Sequence, residues 1–88
     1  MSIEYKIQFK IDNTKLIPEL KGLPNFVKQN ENIFYYQTSN RTNFEVVIEI
    51  TNYGILLIDY LSGLGREIIG ILVEKLTGLS DKIIIEEK

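Results

Sequence analysis

The sequence predicts an α+β domain, a mostly antiparallel five-stranded sheet with one long helix packed on one face. Three observations carry that prediction. Residues 3–11 alternate apolar and polar without a break, as a half-buried strand does. Residues 61–79 repeat apolar side chains at helical spacing, and no other long stretch does so. Between them, short runs rich in Ile, Val, Tyr and Phe are separated by turns containing Asn, Asp and Gly. The element order is β, short α, β, β, β, long α, β.

In Ile3–Ile11, Ile3, Tyr5, Ile7, Phe9 and Ile11 share one face, and Glu4, Lys6, Gln8 and Lys10 share the other. Asp12-Asn13-Thr14 breaks the strand. Lys15–Gly22 forms a brief helix that buries Leu16, Ile17 and Leu20. Pro18 is tolerated in a first turn but costly further in, so this helix is expected to begin near Pro18. Leu23-Pro24-Asn25 reads as loop, with Leu23 and Phe26 at a core edge. Asn30-Glu31-Asn32 is a turn ahead of a strand at Ile33–Thr38. Ser39–Asn43 is a polar connection into Phe44–Thr51, and Asn52-Tyr53-Gly54 leads to Ile55–Tyr60. A last strand occupies Lys82–Glu86.

Two registers follow from loop chemistry. With Ser39–Asn43 as the loop, Tyr36 pairs with Val46 and Phe34 with Ile48 on the core face, while Tyr35 and Val47 meet on the outer face. For the next hairpin, a three-residue loop with a left-handed Gly54 is a favoured connection. It sets Thr51 opposite Ile55, Glu49 opposite Leu57 and Val47 opposite Asp59. Leu56 and Ile58 then join Tyr5, Ile7, Phe9, Phe34, Tyr36, Val46 and Ile48 in the core, with Ile83 and Ile85 beside them. A one-residue slip would reverse every one of these side chains.

The long helix, Leu61–Leu79, has Leu64, Ile68, Leu72 and Leu76 on its buried stripe, flanked by Ile69, Ile71 and Val73. Ser62 is the expected N-cap. Thr77-Gly78-Leu79 matches a Schellman stop, with Gly78 left-handed and Leu79 folded back on Val73.

Eighty-eight residues make one domain, and an apolar fraction of 44% is enough for one core. With no cysteine there is neither a disulfide framework nor a thiolate metal site. The start lacks a signal-peptide core and no run reaches a membrane span, so a cytoplasmic location is expected. The net charge of −2 disfavours duplex nucleic acid as a partner. It is unevenly spread, since residues 44–88 carry four Lys/Arg against eight Asp/Glu.

The chemistry-bearing residues are few. There is no histidine, the commonest general base. Glu45, Glu49 and Asp59 fall on one sheet face in the expected register, but alternation alone produces such rows. Ser62-Gly63-Leu64-Gly65-Arg66 follows a strand and opens a helix, so Gly63, Gly65 and Arg66 are candidates for anion binding. Neither the dinucleotide fingerprint nor the P-loop is present, because Ile68 occupies the place of the last fingerprint glycine and the Gly-Lys-Ser/Thr of a P-loop is missing. Asn40-Arg41-Thr42 matches a glycosylation sequon by chance. No catalytic residue, metal site or cofactor is implied.

What remains is an apolar set on the expected helix-free face: Ile33, Tyr35, Val47, Ile55 and Leu57, interspersed with Glu45, Glu49 and Asp59. Residues 15–26 folding over that face would explain the set as core. Left open, it is a surface for a protein partner or a homodimer. The size and layout resemble those of small bacterial immunity and adaptor proteins, a resemblance that no motif carries and that implies an acidic inhibitor. The sequence therefore predicts a non-catalytic interaction module, binding through that face or an edge strand. The alternative is a single-stranded nucleic-acid or anionic-ligand module using Lys6, Lys10, Lys28, Arg41 and Tyr35.

Overall fold

A computed structural model describes residues 2–38, 43–60 and 63–88. The expectations for Ser62, for the Asn40-Arg41-Thr42 sequon and for Arg41 lie outside these residues. The chain runs β1 (Ile3–Gln8), α1 (Asn13–Lys21), β2 (Phe26–Asn30), β3 (Ile33–Tyr36), β4 (Val46–Ile50), β5 (Gly54–Asp59), α2 (Leu64–Leu76) and β6 (Ile84–Glu87). The fold is α+β. Six strands form one sheet in the order β2-β3-β4-β5-β1-β6, and every pairing is antiparallel.

The strand not foreseen is β2. Its sequence, Phe-Val-Lys-Gln-Asn, has no alternation because it lies at a sheet edge and is largely exposed. A two-residue turn joins it to β3, pairing Asn30 with Ile33, and Glu31 takes a left-handed conformation with φ 54°. The β3–β4 register is the expected one: Phe34 faces Ile48, Tyr35 faces Val47 and Tyr36 faces Val46.

The β4–β5 register is not. Ile50 stands opposite Ile55, Ile48 opposite Leu57 and Val46 opposite Asp59, one residue away from the expected pairing. Four residues, Thr51 to Gly54, make the connection, and the Thr51 N–H donates to the Gly54 carbonyl at 2.9 Å. Gly54 serves β1 as well as the turn. It pairs with Gln8, and a Cβ on it would collide with the Ile7 carbonyl oxygen. Its φ of 144° favours glycine for the same reason. The slip turns Ile55 and Leu57 into the core, where both are fully buried, and sends Leu56 and Ile58 to the other face.

Both helices pack on one side of the sheet. Leu16 and Leu20 of α1 join Leu64, Ile68, Leu72 and Leu76 of α2 over Ile7, Phe34, Tyr36, Val46, Ile48, Ile55 and Leu57. Tyr36 donates its buried hydroxyl to the Leu20 carbonyl at 2.6 Å, tying α1 to the sheet. Lys75 and Glu19 form an ion pair at 3.5 Å between the helices. Residues 15–26 therefore add to the core on the helical side, and the opposite face stays open. In α1 the helix begins five residues before Pro18. That proline lies on the exposed side, where the Thr14 carbonyl it cannot bond has access to water.

The end of α2 also departs from expectation. Gly63 and Gly54 are the positive-φ glycines among the described residues, so Gly78 is not left-handed. The Leu79 and Ser80 N–H groups both close on the Leu76 carbonyl at 2.9 Å instead. Leu79 is exposed rather than folded back on Val73.

Candidate functional site

The helix-free face is built from cross-strand rows. The first runs Lys28, Tyr35, Val47, Ile58, Glu4, with an apolar centre between a lysine on β2 and a glutamate on β1. The second runs Asn30, Ile33, Glu49, Leu56, Lys6, Glu86 across all six strands. Ile33, Tyr35, Val47, Leu56 and Ile58 are all partly exposed, and no described element lies over them.

Three of the five residues expected on this face are there: Ile33, Tyr35 and Val47. Ile55 and Leu57 are not, and Leu56 and Ile58 take their places. The missed signal lay in β5 itself. Its residues Ile55 to Ile58 are apolar on both faces, so alternation could not choose between registers.

Aromatic packing stiffens one end of the face. The rings of Tyr35 and Phe44 lie 4.8 Å apart, and the Lys28 ammonium sits 5.1 Å and 5.3 Å from their centroids. Such a cation over ring faces is worth about 0.5–1 kcal/mol at an exposed site. Lys6 makes a second contact of this kind, 4.7 Å from the Tyr53 ring centroid. Lys6 and Lys28 stand four strand spacings apart, about 19 Å. They do not form one basic patch.

The carboxylates Glu45, Glu49 and Asp59 do not share a face. Glu49 is exposed on the helix-free side, whereas Asp59 is buried on the helical side. Glu45 precedes β4 and is buried too. It accepts hydrogen bonds from the Thr38 N–H at 2.9 Å and the Thr38 hydroxyl at 2.5 Å. Its backbone meanwhile bonds Tyr36 and Tyr60, closing the top of three strands. Among the described residues no group of three or more acidic, His or Cys side chains is placed to hold a metal ion.

At the start of α2, Gly63, Gly65 and Arg66 come together differently from a phosphate cradle. Gly63 is left-handed and exposed, and Arg66 points its charge toward solvent. Gly65 is buried against Asp59, whose carboxylate lies beside the first turn of α2. A negative charge there is favourable beside the helix N-terminus, by about 0.3–1 kcal/mol. The chain supplies it internally.

Among the described residues, no helix is long and apolar enough to cross a membrane. No protein-family model, curated protein or solved structure matches this chain.

Proposed function

We propose that the protein is a non-catalytic binding module that engages a protein partner through the helix-free face of its sheet, as an inhibitor or immunity-type protein would. One observation carries this reading: the Tyr35–Val47–Ile58 row, with Ile33 and Leu56 beside it, lies on the face opposite both helices. An apolar centre with a charged rim is the composition of an interaction surface. Tyr35, held by Phe44 and Lys28, is a pre-ordered aromatic anchor, the kind of residue that concentrates binding energy.

The rim narrows the partner's chemistry. Glu4, Glu49 and Glu86 are matched on this face by Lys6, Lys28 and Lys88, which follows Glu4 at the end of its row. The rim is balanced and suits a partner with an apolar protrusion and charges of both signs around it. The same balance disfavours a phosphate backbone. Affinity capture from the native source tests the reading, using the wild-type chain beside Val47→Glu and Ile58→Glu. A protein retained by the wild type and lost from both variants, each still folded by circular dichroism, supports it. Identical retention by all three would sink it.

A further inference from the structure

We propose that β6 pairs with β6 of a second copy of this chain, joining two sheets antiparallel about a twofold axis at Ile84. The sheet has two open ends, and they are built differently. At β2 the register shifts between Phe26 and Lys28, Pro24 lies just ahead, and Lys28 sits on the strand. Bulges, prolines and lysines are devices that blunt an edge against pairing. β6 has neither a bulge nor a proline; its charges, Glu86 and Glu87, fall at one end, and Lys82 and Lys88 flank it, leaving Ile83-Ile84-Ile85 as an apolar run along the edge. Every residue of Ile84–Glu87 is exposed, with Ile84 at 41% and Ile85 at 43%.

The backbone presents the right groups. The Lys88 N–H donates to the Glu4 carbonyl at 2.8 Å. By the alternation of an antiparallel ladder, Ile84 and Glu86 also turn their backbone groups to β1. Ile85 and Glu87 turn theirs to the open edge, and so does Ile83 if the strand is extended by one residue.

Side chains choose the register. A twofold axis normal to the sheet keeps each face on its own side, so residues of like parity meet. Centred on Ile84, the pairing sets Ile84 against its own copy, Ile83 against Ile85 of the second copy, and Lys82 against Glu86 of the second copy. Glu86, already beside Lys6 of its own β1, would then lie between two lysines. Centred on Ile85 instead, Lys82 would face Lys88, and Ile84 would face Glu86. The first register matches aliphatic with aliphatic over Ile83–Ile85 and Lys82 with Glu86. It leaves a like-charge pair, Glu87 with Asp81 of the second copy, only at its end, where Asp81 lies in the bend ahead of the strand. So short an edge buries less than the roughly 1,200 Å² of a stable complex, so a weak dimer is expected. The helix-free face stays open in it, and this inference does not rest on the reading given above.

Sedimentation equilibrium of the whole chain, from micromolar to millimolar concentration, provides the test. The wild type should dimerise reversibly, and Ile84→Lys should raise the dissociation constant roughly tenfold or more by opposing two ammonium groups. Lys82→Glu should weaken the dimer, and adding Glu86→Lys should restore it. The chain has no cysteine, so Ile84→Cys introduces one thiol. In a non-hydrogen-bonded pair with its own copy, its Cβ atoms would stand about 4.5–5.5 Å apart. Mild oxidation should cross-link Ile84→Cys roughly tenfold faster than Ile85→Cys. A chain that stays monomeric, a dimer untouched by Ile84→Lys, or equal cross-linking by the two cysteines would overturn the proposal. Val47→Glu should leave the dimer intact, which separates failure here from failure of the sheet-face reading.

Discussion

The carboxylate of Asp59 lies directly over Gly65 in the first turn of α2. A Cβ built on Gly65 would stand 2.6 Å from Asp59 Oδ2 and 2.7 Å from its Cβ and Cγ. The contact sets how closely the end of β5 approaches the start of α2. It also explains why a charged residue only 3% exposed is tolerated on the helical side of the sheet. The helix N-terminus is one of the few core-side environments that favours a carboxylate.

Gly65→Ala should therefore destabilise the fold by about 1–3 kcal/mol, the usual cost of forcing an atom into a packed site. Urea unfolding would show it as a lower midpoint at unchanged slope. Gly63→Ala is the informative control. Nothing lies within 4 Å of a Cβ there, so its cost would come from the left-handed φ of 85° alone. Equal stability of Gly65→Ala and the wild type would mean that Asp59 does not pack against this turn.

Tyr36 gives the pH dependence. Its ring is fully buried in the core, its hydroxyl donates to the Leu20 carbonyl, and burial pushes its phenol well above the ordinary value of 10.0. The folded state therefore holds the proton more tightly than the unfolded chain. The resulting stability is complete below the unfolded pKa of about 10 and is lost as pH rises above it, by up to about 1.4 kcal/mol per pH unit. Tyr36→Phe should cost about 1 kcal/mol at neutral pH, through the lost hydrogen bond, and should flatten the alkaline decline. Thermal melts between neutral pH and the alkaline range would reveal both effects. A decline just as steep in Tyr36→Phe would place its origin in other groups.

The parts of the fold that were legible in the sequence are those where one face is polar. Glu4, Lys6 and Gln8 marked the wet side of β1, and Glu49 marked that of β4, so the core faces of both strands follow from alternation, and the length of the Ser39–Asn43 connection supplied the β3–β4 register. The helical stripe of α2 was equally clear. The β5 register was not, because Asp59 is the polar residue in that strand and the helix N-terminus draws it inward. Pro18 suggested a late start for α1, yet an exposed proline costs the helix only a solvated carbonyl. β2 lacks a pattern because an edge strand buries little. The candidate face was thus anticipated as a surface, with Ile33, Tyr35 and Val47 on it, while its β5 contribution was inverted.

That inversion yields the sharpest test of the structure. Leu57 is fully buried opposite Ile48, whereas Ile58 is partly exposed opposite Val47 on the helix-free face. Leu57→Glu buries a carboxylate between Ile48 and Tyr5 in the core and should cost about 4 kcal/mol or more, a large part of a small domain's stability. Ile58→Glu places the same group where water reaches it and should cost about 1 kcal/mol or less. It would also stand beside Glu4 across the strand pair, so its effect should ease as salt is added. Circular dichroism and urea titration of the two variants decide between the registers. If Leu57→Glu folds and Ile58→Glu does not, the observed pairing is wrong by one residue. The face proposed to bind a partner would then carry Ile55 and Leu57 after all.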